Sequence, residues 1–214
     1  GKVAELDKSL VAHVTDDTVG IGHTRWATHG APSKRNAHPH HVGDIYLVHN
    51  GIIENYQDLK IMLMNHGHDF KSDTDSEVLA ALIDHLAQET DTVHQAVSGA
   101  LKMVVGTYGI ALFSAKDPDE IIVARRGSPL ILGLGDGEVF IASDASALVG
   151  YTDRVIYLRD GEVGICTRDA VRLYDVETQP VEAEVERLEL DLQAIQKDGF
   201  DHFLLKEIFE QPKS

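Results

Sequence analysis

Cysteine occurs once in the 214 residues, so Cys166 closes no internal disulfide and builds no cysteine-rich metal site, which suits a reducing, cytoplasmic setting. Basic residues are scarce. The 19 Lys and Arg stand against 35 Asp and Glu, a formal charge of −16 spread along the chain without an acidic tail. That balance favours solubility and repels polyphosphates, so nucleic acid is not an expected partner. Long apolar runs are missing as well. The longest in a helical stretch, Val78-Leu79-Ala80-Ala81-Leu82-Ile83, is far short of the roughly 18 residues a membrane span needs. There is no GxGxxG, no P-loop, no internal repeat and no low-complexity segment. Gly1-Lys2-Val3 offers no initiator Met, no basic-then-apolar leader and no cleavage pattern, so the sequence reads as a protein entered partway along.

With 43% hydrophobic residues, the chain buries a full core, and one domain is the default. After an amphipathic start over 3–14, residues 18–23 alternate like a strand and lead into a polar loop over 25–41. A second strand is expected at 44–49, and Tyr56, Leu59, Met62 and Leu63 then recur at helical spacing up to Gly67. Thr74-Asp75-Ser76-Glu77 reads as a capping box opening a helix with Leu79, Leu82, Ile83 and Leu86 on its apolar face. Val93, Ala96, Val97, Ala100, Leu101 and Val104 stripe the next helix. Seven short β-rich runs follow, at 108–114, 121–124, 130–134, 139–143, 155–158, 163–167 and 171–174, punctuated by Gly, Asp and Pro. Two paired helices amid two groups of largely antiparallel strands predict a layered α+β domain. A last helix is expected at 203–210, before Gln211-Pro212.

Chemistry concentrates in the first third. Arg25 offers a planar fork for an α-carboxylate, Asp75 an anion for an α-ammonium, and Asn50 with Gly51 two donors for an oxyanion at a side-chain amide, a set that suggests glutamine. Each has an ordinary structural explanation too. Arg25 beside Trp26 could be a surface cation on an indole; Thr28-His29-Gly30 could be loop chemistry. Asn50-Gly51 is a favoured hairpin turn, although Ile52-Ile53-Glu54-Asn55 does not alternate like a returning strand. Asp75 could serve only the first turn of its helix. His38-Pro39-His40-His41 could ligate a metal but lacks a partner at matching spacing, so no metal is expected. Cys166 reads as a half-buried, inert strand residue.

Taken together, Gly22-His23-Thr24-Arg25-Trp26-Ala27-Thr28-His29-Gly30, His38-Pro39-His40, His49-Asn50-Gly51-Ile52-Ile53-Glu54-Asn55 and Ser72-Asp73-Thr74-Asp75-Ser76-Glu77 resemble the class II glutamine amidotransferases. Arg126-Gly127-Ser128-Pro129-Leu130, Ala142-Ser143-Asp144 and Lys206-Glu207-Ile208-Phe209-Glu210-Gln211-Pro212 add similarity to the glucosamine-6-phosphate synthase branch of that family. The resemblance implies a four-layer αββα Ntn-hydrolase sandwich with largely antiparallel sheets. It also implies a glutaminase domain over 1–210 and, at 211–214, the start of a linker to a sugar-phosphate isomerase domain, in an oligomeric, cofactor-free parent. There an N-terminal Cys attacks the amide of L-glutamine and the released ammonia converts fructose-6-phosphate to glucosamine-6-phosphate. Carried over, Asn50 and Gly51 form the oxyanion hole, and Arg25, Thr28, His29 and Asp75 bind glutamine. Trp26 stands at the start of an ammonia passage, with His38 and His49 supporting. The segment with the N-terminal Cys is absent from this sequence, which is therefore expected to keep part of a glutamine pocket without turning glutamine over. Another class II acceptor branch and a non-catalytic glutamine-binding module are the alternatives.

Overall fold

The computed structural model describes residues 16–25 and 30–188, together with Lys8. Three helices are described in full, α1 (Tyr56–Asn65), α2 (Asp75–Ala87) and α3 (Val93–Met103). The larger sheet is built from β1 (His40–Val42), β2 (Ile45–Ile53), β3 (Gly106–Ser114), β4 (Asp117–Arg126), β8 (Glu162–Cys166), β9 (Val171–Asp175) and β10 (Pro180–Val181), hydrogen-bonded in that order. The smaller runs β11 (Glu186–Arg187), β7 (Arg154–Tyr157), β5 (Ile131–Leu134), β6 (Val139–Ala142). Every paired strand is antiparallel.

Period-two alternation assigns each strand's two faces to two cores. Ile45 and Leu47 of β2, Tyr108, Ile110 and Leu112 of β3, and Ile122 and Ala124 of β4 pack on the helices. Val48, Ala111 and Val123 from the same strands face the smaller sheet, meeting Leu132 and Ile156. Helices, seven strands and four strands thus form three successive layers, an α+β arrangement of mainly antiparallel sheets. The helix expected at 203–210 lies outside the described residues, as does most of the amphipathic start. Among the described residues no helix is long and apolar enough to cross a membrane.

All seven β-rich runs after Thr107 form strands. Residues 18–23 do not: they keep an alternating half-buried and exposed pattern, and Ile21 packs on the inter-sheet core, yet no strand is formed there. Alternation specifies an extended chain with one buried side, whereas a strand also needs a partner backbone. β2 runs on past the expected His49 to Ile53, with Asn50 opposite Gly109 and Gly51 opposite Tyr108. Asn50-Gly51 is therefore no hairpin turn. On α3, Val104 is the C-cap rather than part of the stripe, though still buried.

α2 touches α1, α3, β1 and β2, and its residues from Asp75 to Ile83 are all buried. Its polar first turn must therefore be satisfied internally. Thr74 Oγ1 accepts from the Glu77 amide at 3.2 Å, half of the expected capping box. The Glu77 carboxylate turns elsewhere, accepting from the Lys71 amide at 2.8 Å and from the Ser72 amide and hydroxyl at 2.6 Å each. Burial raises the Glu77 pKa, but the Ser72 and Lys71 hydrogen bonds outweigh it and hold the carboxyl below its usual 4.5. A folded pKa below the unfolded one contributes stability above pH 4.5 that is lost as pH falls through the folded value. Glu77→Gln is expected to cost about 1–3 kcal/mol in urea unfolding at pH 7, with the difference from wild type shrinking on acidification. An equal cost at every pH would contradict this account.

Candidate functional site

The C-terminal half of β2, the first turn of α2, and His23 and Arg25 line a cavity of about 250 Å³. Arg25, His38, His49, Asn50, Gly51 and Asp75 line it. Sequence separations of up to 50 residues between these groups close here because β2 passes under α2, and Asp75 ties the two by accepting the Ile53 amide on Oδ2 at 2.9 Å. Asp75 is only 3% exposed. Trp26, Thr28 and His29 lie outside the described residues.

Arg25 adopts φ 54°, left-handed backbone that costs a non-glycine residue on the order of 1–2 kcal/mol. Local bonds hold it there. Its amide donates to His23 Nδ1 at 2.8 Å, and its guanidinium donates to the carbonyls of Gly30 and Ala31 at 3.1 and 3.0 Å. The fork is thus aimed by backbone carbonyls, a fixed cation rather than a swinging one. Gly51 has φ 129°, and a Cβ there would stand 2.2 Å from the Thr107 carbonyl oxygen. Only glycine lets β2 and β3 keep their register beside the cavity.

Three histidines, His23, His38 and His49, line the cavity, and His40 packs against His38. The His23 and His38 ring centroids are 4.2 Å apart and those of His38 and His40 4.9 Å. Ser76 Oγ lies 2.9 Å from His49 Nδ1 and 3.1 Å from His38 Nε2, while His49 Nε2 faces the Thr107 carbonyl at 3.4 Å. A carbonyl only accepts, so His49 donates from Nε2, Ser76 donates to His49, and His38 donates to Ser76. His38 Nδ1 is left as a buried acceptor without a partner. Burial, reinforced by His23, His40, His49 and Arg25, pushes the His38 pKa down to about 3. Burial likewise lowers His40, against the opposing pull of Glu77.

His40 turns to Thr74 at 3.0 Å and His41 to the Gly43 carbonyl at 2.8 Å, so the His38-Pro39-His40-His41 run does not converge. Among the described residues no group of three or more His, Cys, Asp or Glu is placed to hold a metal ion. Cys166, 4% exposed on β8 rather than half-buried, has its thiol pushed up to about 12 by burial. It does not line the cavity, and as a thiol at neutral pH it is a poor nucleophile.

Five lining residues, His23, Ile52, Thr74, Ser76 and Thr107, were given no role in the site by the sequence reading. His23 belonged to a quoted motif without a role, and Ser76 was legible only as a helix-start residue. Thr107 had no signal at all, since only the β2–β3 register brings it here. A second cleft of about 710 Å³, between the sheets, shares His23, His49 and Asn50 with the first.

A partly buried imidazole with a folded pKa near 3 and an unfolded one of 6.5 makes unfolding take up a proton between those values. Acidification below 6.5 therefore destabilises the fold through His38, by up to about 1.4 kcal/mol per pH unit. His38 ring resonances in a histidine-selective NMR titration are expected to stay fixed from pH 7 to 5; a midpoint of about 6 would refute the burial argument.

The family model described as glutamine amidotransferase domain matches residues 8–164. The glutamine–fructose-6-phosphate aminotransferase (isomerizing) of Chlorobaculum tepidum is 52% identical over 220 residues, covering 100% of this chain and 36% of that protein. The enzyme of the same name from Pyrococcus horikoshii is 46% identical over 217 residues, with the same coverages of 100% and 36%. The chain thus spans about a third of the length of these curated relatives. Among solved structures, glutamine phosphoribosylpyrophosphate amidotransferase from B. subtilis superposes with TM-score 0.59 at 28% identity, over 74% of this chain and 35% of that one. The fold is accordingly the Ntn-hydrolase sandwich of the amidotransferases, its described part being one helical layer and both sheets. A family match reaching from the first residues into β8, with relatives this similar along the whole length, carries the assignment: the chain belongs to the glutamine amidotransferase domain family.

Proposed function

We propose that the cavity binds L-glutamine and activates its side-chain amide, releasing ammonia for the conversion of fructose-6-phosphate to glucosamine-6-phosphate. The observation that carries this reading is the meeting of Arg25, Asn50, Gly51 and Asp75 around one cavity of about 250 Å³, smaller than the 300 Å³ or more, roughly, of sites for drug-sized ligands. In this assignment the Arg25 guanidinium takes the α-carboxylate and Asp75 the α-ammonium, with Thr28 and His29 completing the carboxylate end. The requirement for both ends selects a free amino acid over a simple amide, because each charged end of the ligand then meets a side chain of opposite charge.

A thiolate attacks the amide carbon, and the carbonyl oxygen becomes an oxyanion held by the Asn50 side chain and the Gly51 N–H. Collapse, with the thiol's proton carried to the leaving nitrogen by the N-terminal α-amine, expels ammonia and leaves a thioester, which water opens to glutamate and free thiol. Cys166 is buried away from the cavity, and the nucleophile in this proposal is an N-terminal Cys. Trp26 would border the ammonia passage. The glutaminase domain would extend to residue 210, with a sugar-phosphate isomerase domain as its partner within an oligomeric enzyme. The amino-sugar acceptor is favoured over a phosphoribosyl one because identity is 52% to the aminotransferase relative and 28% to the phosphoribosyl one.

Glutamate and glucosamine-6-phosphate release by the full-length polypeptide provides the test. Asn50→Ala should lower kcat for glutamate release by roughly 100 to 1000-fold with little change in the KM for glutamine. Arg25→Ala should instead raise KM, by about 10 to 100-fold for a lost charged hydrogen bond. Full turnover in both variants would remove the reading; glutamine binding by calorimetry without any turnover in wild type would support the non-catalytic module.

A further inference from the structure

We infer that His23 is a positioning residue that sets the orientation of the Asn50 side-chain amide. The inference rests on the reading of Asn50 as an oxyanion donor and adds what aims it. A primary amide has a donor end and an acceptor end of nearly equal size, and rotation by half a turn exchanges them. An Asn50 with its carbonyl oxygen toward the reacting amide would repel the developing negative charge, so something must fix the rotamer.

The hydrogen bonds around His23 do so in a determined sequence. The Arg25 backbone N–H donates to His23 Nδ1 at 2.8 Å. An imidazole nitrogen that accepts carries no proton, so in the neutral ring the proton resides on Nε2. That nitrogen lies 2.7 Å from Asn50 Oδ1, to which it donates. With Oδ1 engaged, the Asn50 NH₂ is the end left to face the cavity that Asn50 lines. The ring is held from a third side by His38, centroid to centroid 4.2 Å. One imidazole therefore couples the backbone of Arg25, in its left-handed conformation, to the amide of Asn50 on β2. The carboxylate-binding end and the oxyanion end of the pocket are set by the same ring.

The two bonds are separable by substitution. In His23→Asn the shorter side chain keeps an acceptor for the Arg25 N–H, as in an Asx-turn, but loses the donor to Asn50. In His23→Gln the amide nitrogen reaches the place of Nε2 and keeps the donor. Steady-state glutaminase kinetics of the full-length polypeptide, on variants whose thermal unfolding matches wild type, should show His23→Asn losing about 10 to 100-fold in kcat at unchanged KM. His23→Gln should recover most of that loss. Asn50→Ala combined with His23→Asn should be no slower than Asn50→Ala alone, because residues acting through one another are not additive.

A wild-type kcat in His23→Asn, equal losses in the two His23 variants, or additive losses in the double variant would each overturn the inference. Asn50→Ala alone separates it from the functional reading. A wild-type kcat there removes the oxyanion role and this inference with it, whereas a slow Asn50→Ala beside an unimpaired His23→Asn overturns this inference only.

Discussion

The first turn of α2 is polar and buried, and the pocket depends on how that conflict is met. Ser72, Thr74, Asp75, Ser76 and Glu77 are each no more than 5% exposed, where an unsatisfied polar group costs several kcal/mol, roughly 1–3 by mutational measures. Each finds partners: Ser72 and Glu77 bond each other, with the Lys71 amide adding to Glu77, while Asp75 is met by Ile53, Ser76 by His38 and His49, and Thr74 by His40. Satisfying the helix end thereby fixes the helix against β1 and β2. The same bonds that remove the cost of burial place Asp75 in the cavity.

Charge is distributed sparingly around that cavity. The chain as a whole is strongly acidic, yet the described lining carries Arg25, Asp75 and a group of histidines. Burial and mutual proximity keep His38 neutral over the physiological range. A protonated histidine wall would compete with Arg25 for the carboxylate and repel an ammonium near Asp75. A neutral His38, hydrogen-bonded to Ser76, acts instead as a fixed hydrogen-bonding group. Electrostatic preorganisation of this kind is most effective in a site shielded from water.

The fold was legible wherever a local pattern reports on a local structure. The stripe from Val93 to Leu101 and the seven β-rich runs after Thr107 each became the element their period indicates, because amphipathic spacing reads directly as one buried face. Failures occurred where a long-range partner decides the outcome. Residues 18–23 alternate but have no ladder among the described residues. Thr74-Asp75-Ser76-Glu77 opens a helix as expected, yet Glu77 found better donors in Lys71 and Ser72 than the reciprocal cap. Asn50-Gly51 looked locally like a turn and is a strand interior, since β3 pairs across it.

For the site, the sequence by itself determined the inventory: the Arg25 guanidinium, the Asp75 carboxylate, the Asn50-Gly51 pair and several imidazoles, whose combined chemistry points to a free amino acid with a side-chain amide. Charge and hydrogen-bonding capacity belong to residue types and survive any fold. Tertiary structure decided which way those groups face. The approach of Thr107 that only Gly51 permits, the neutrality of His38 and the bond from His23 to Asn50 all arise between segments far apart in sequence. Orientation, tautomer and pKa are properties of neighbours, and neighbours are assigned by packing.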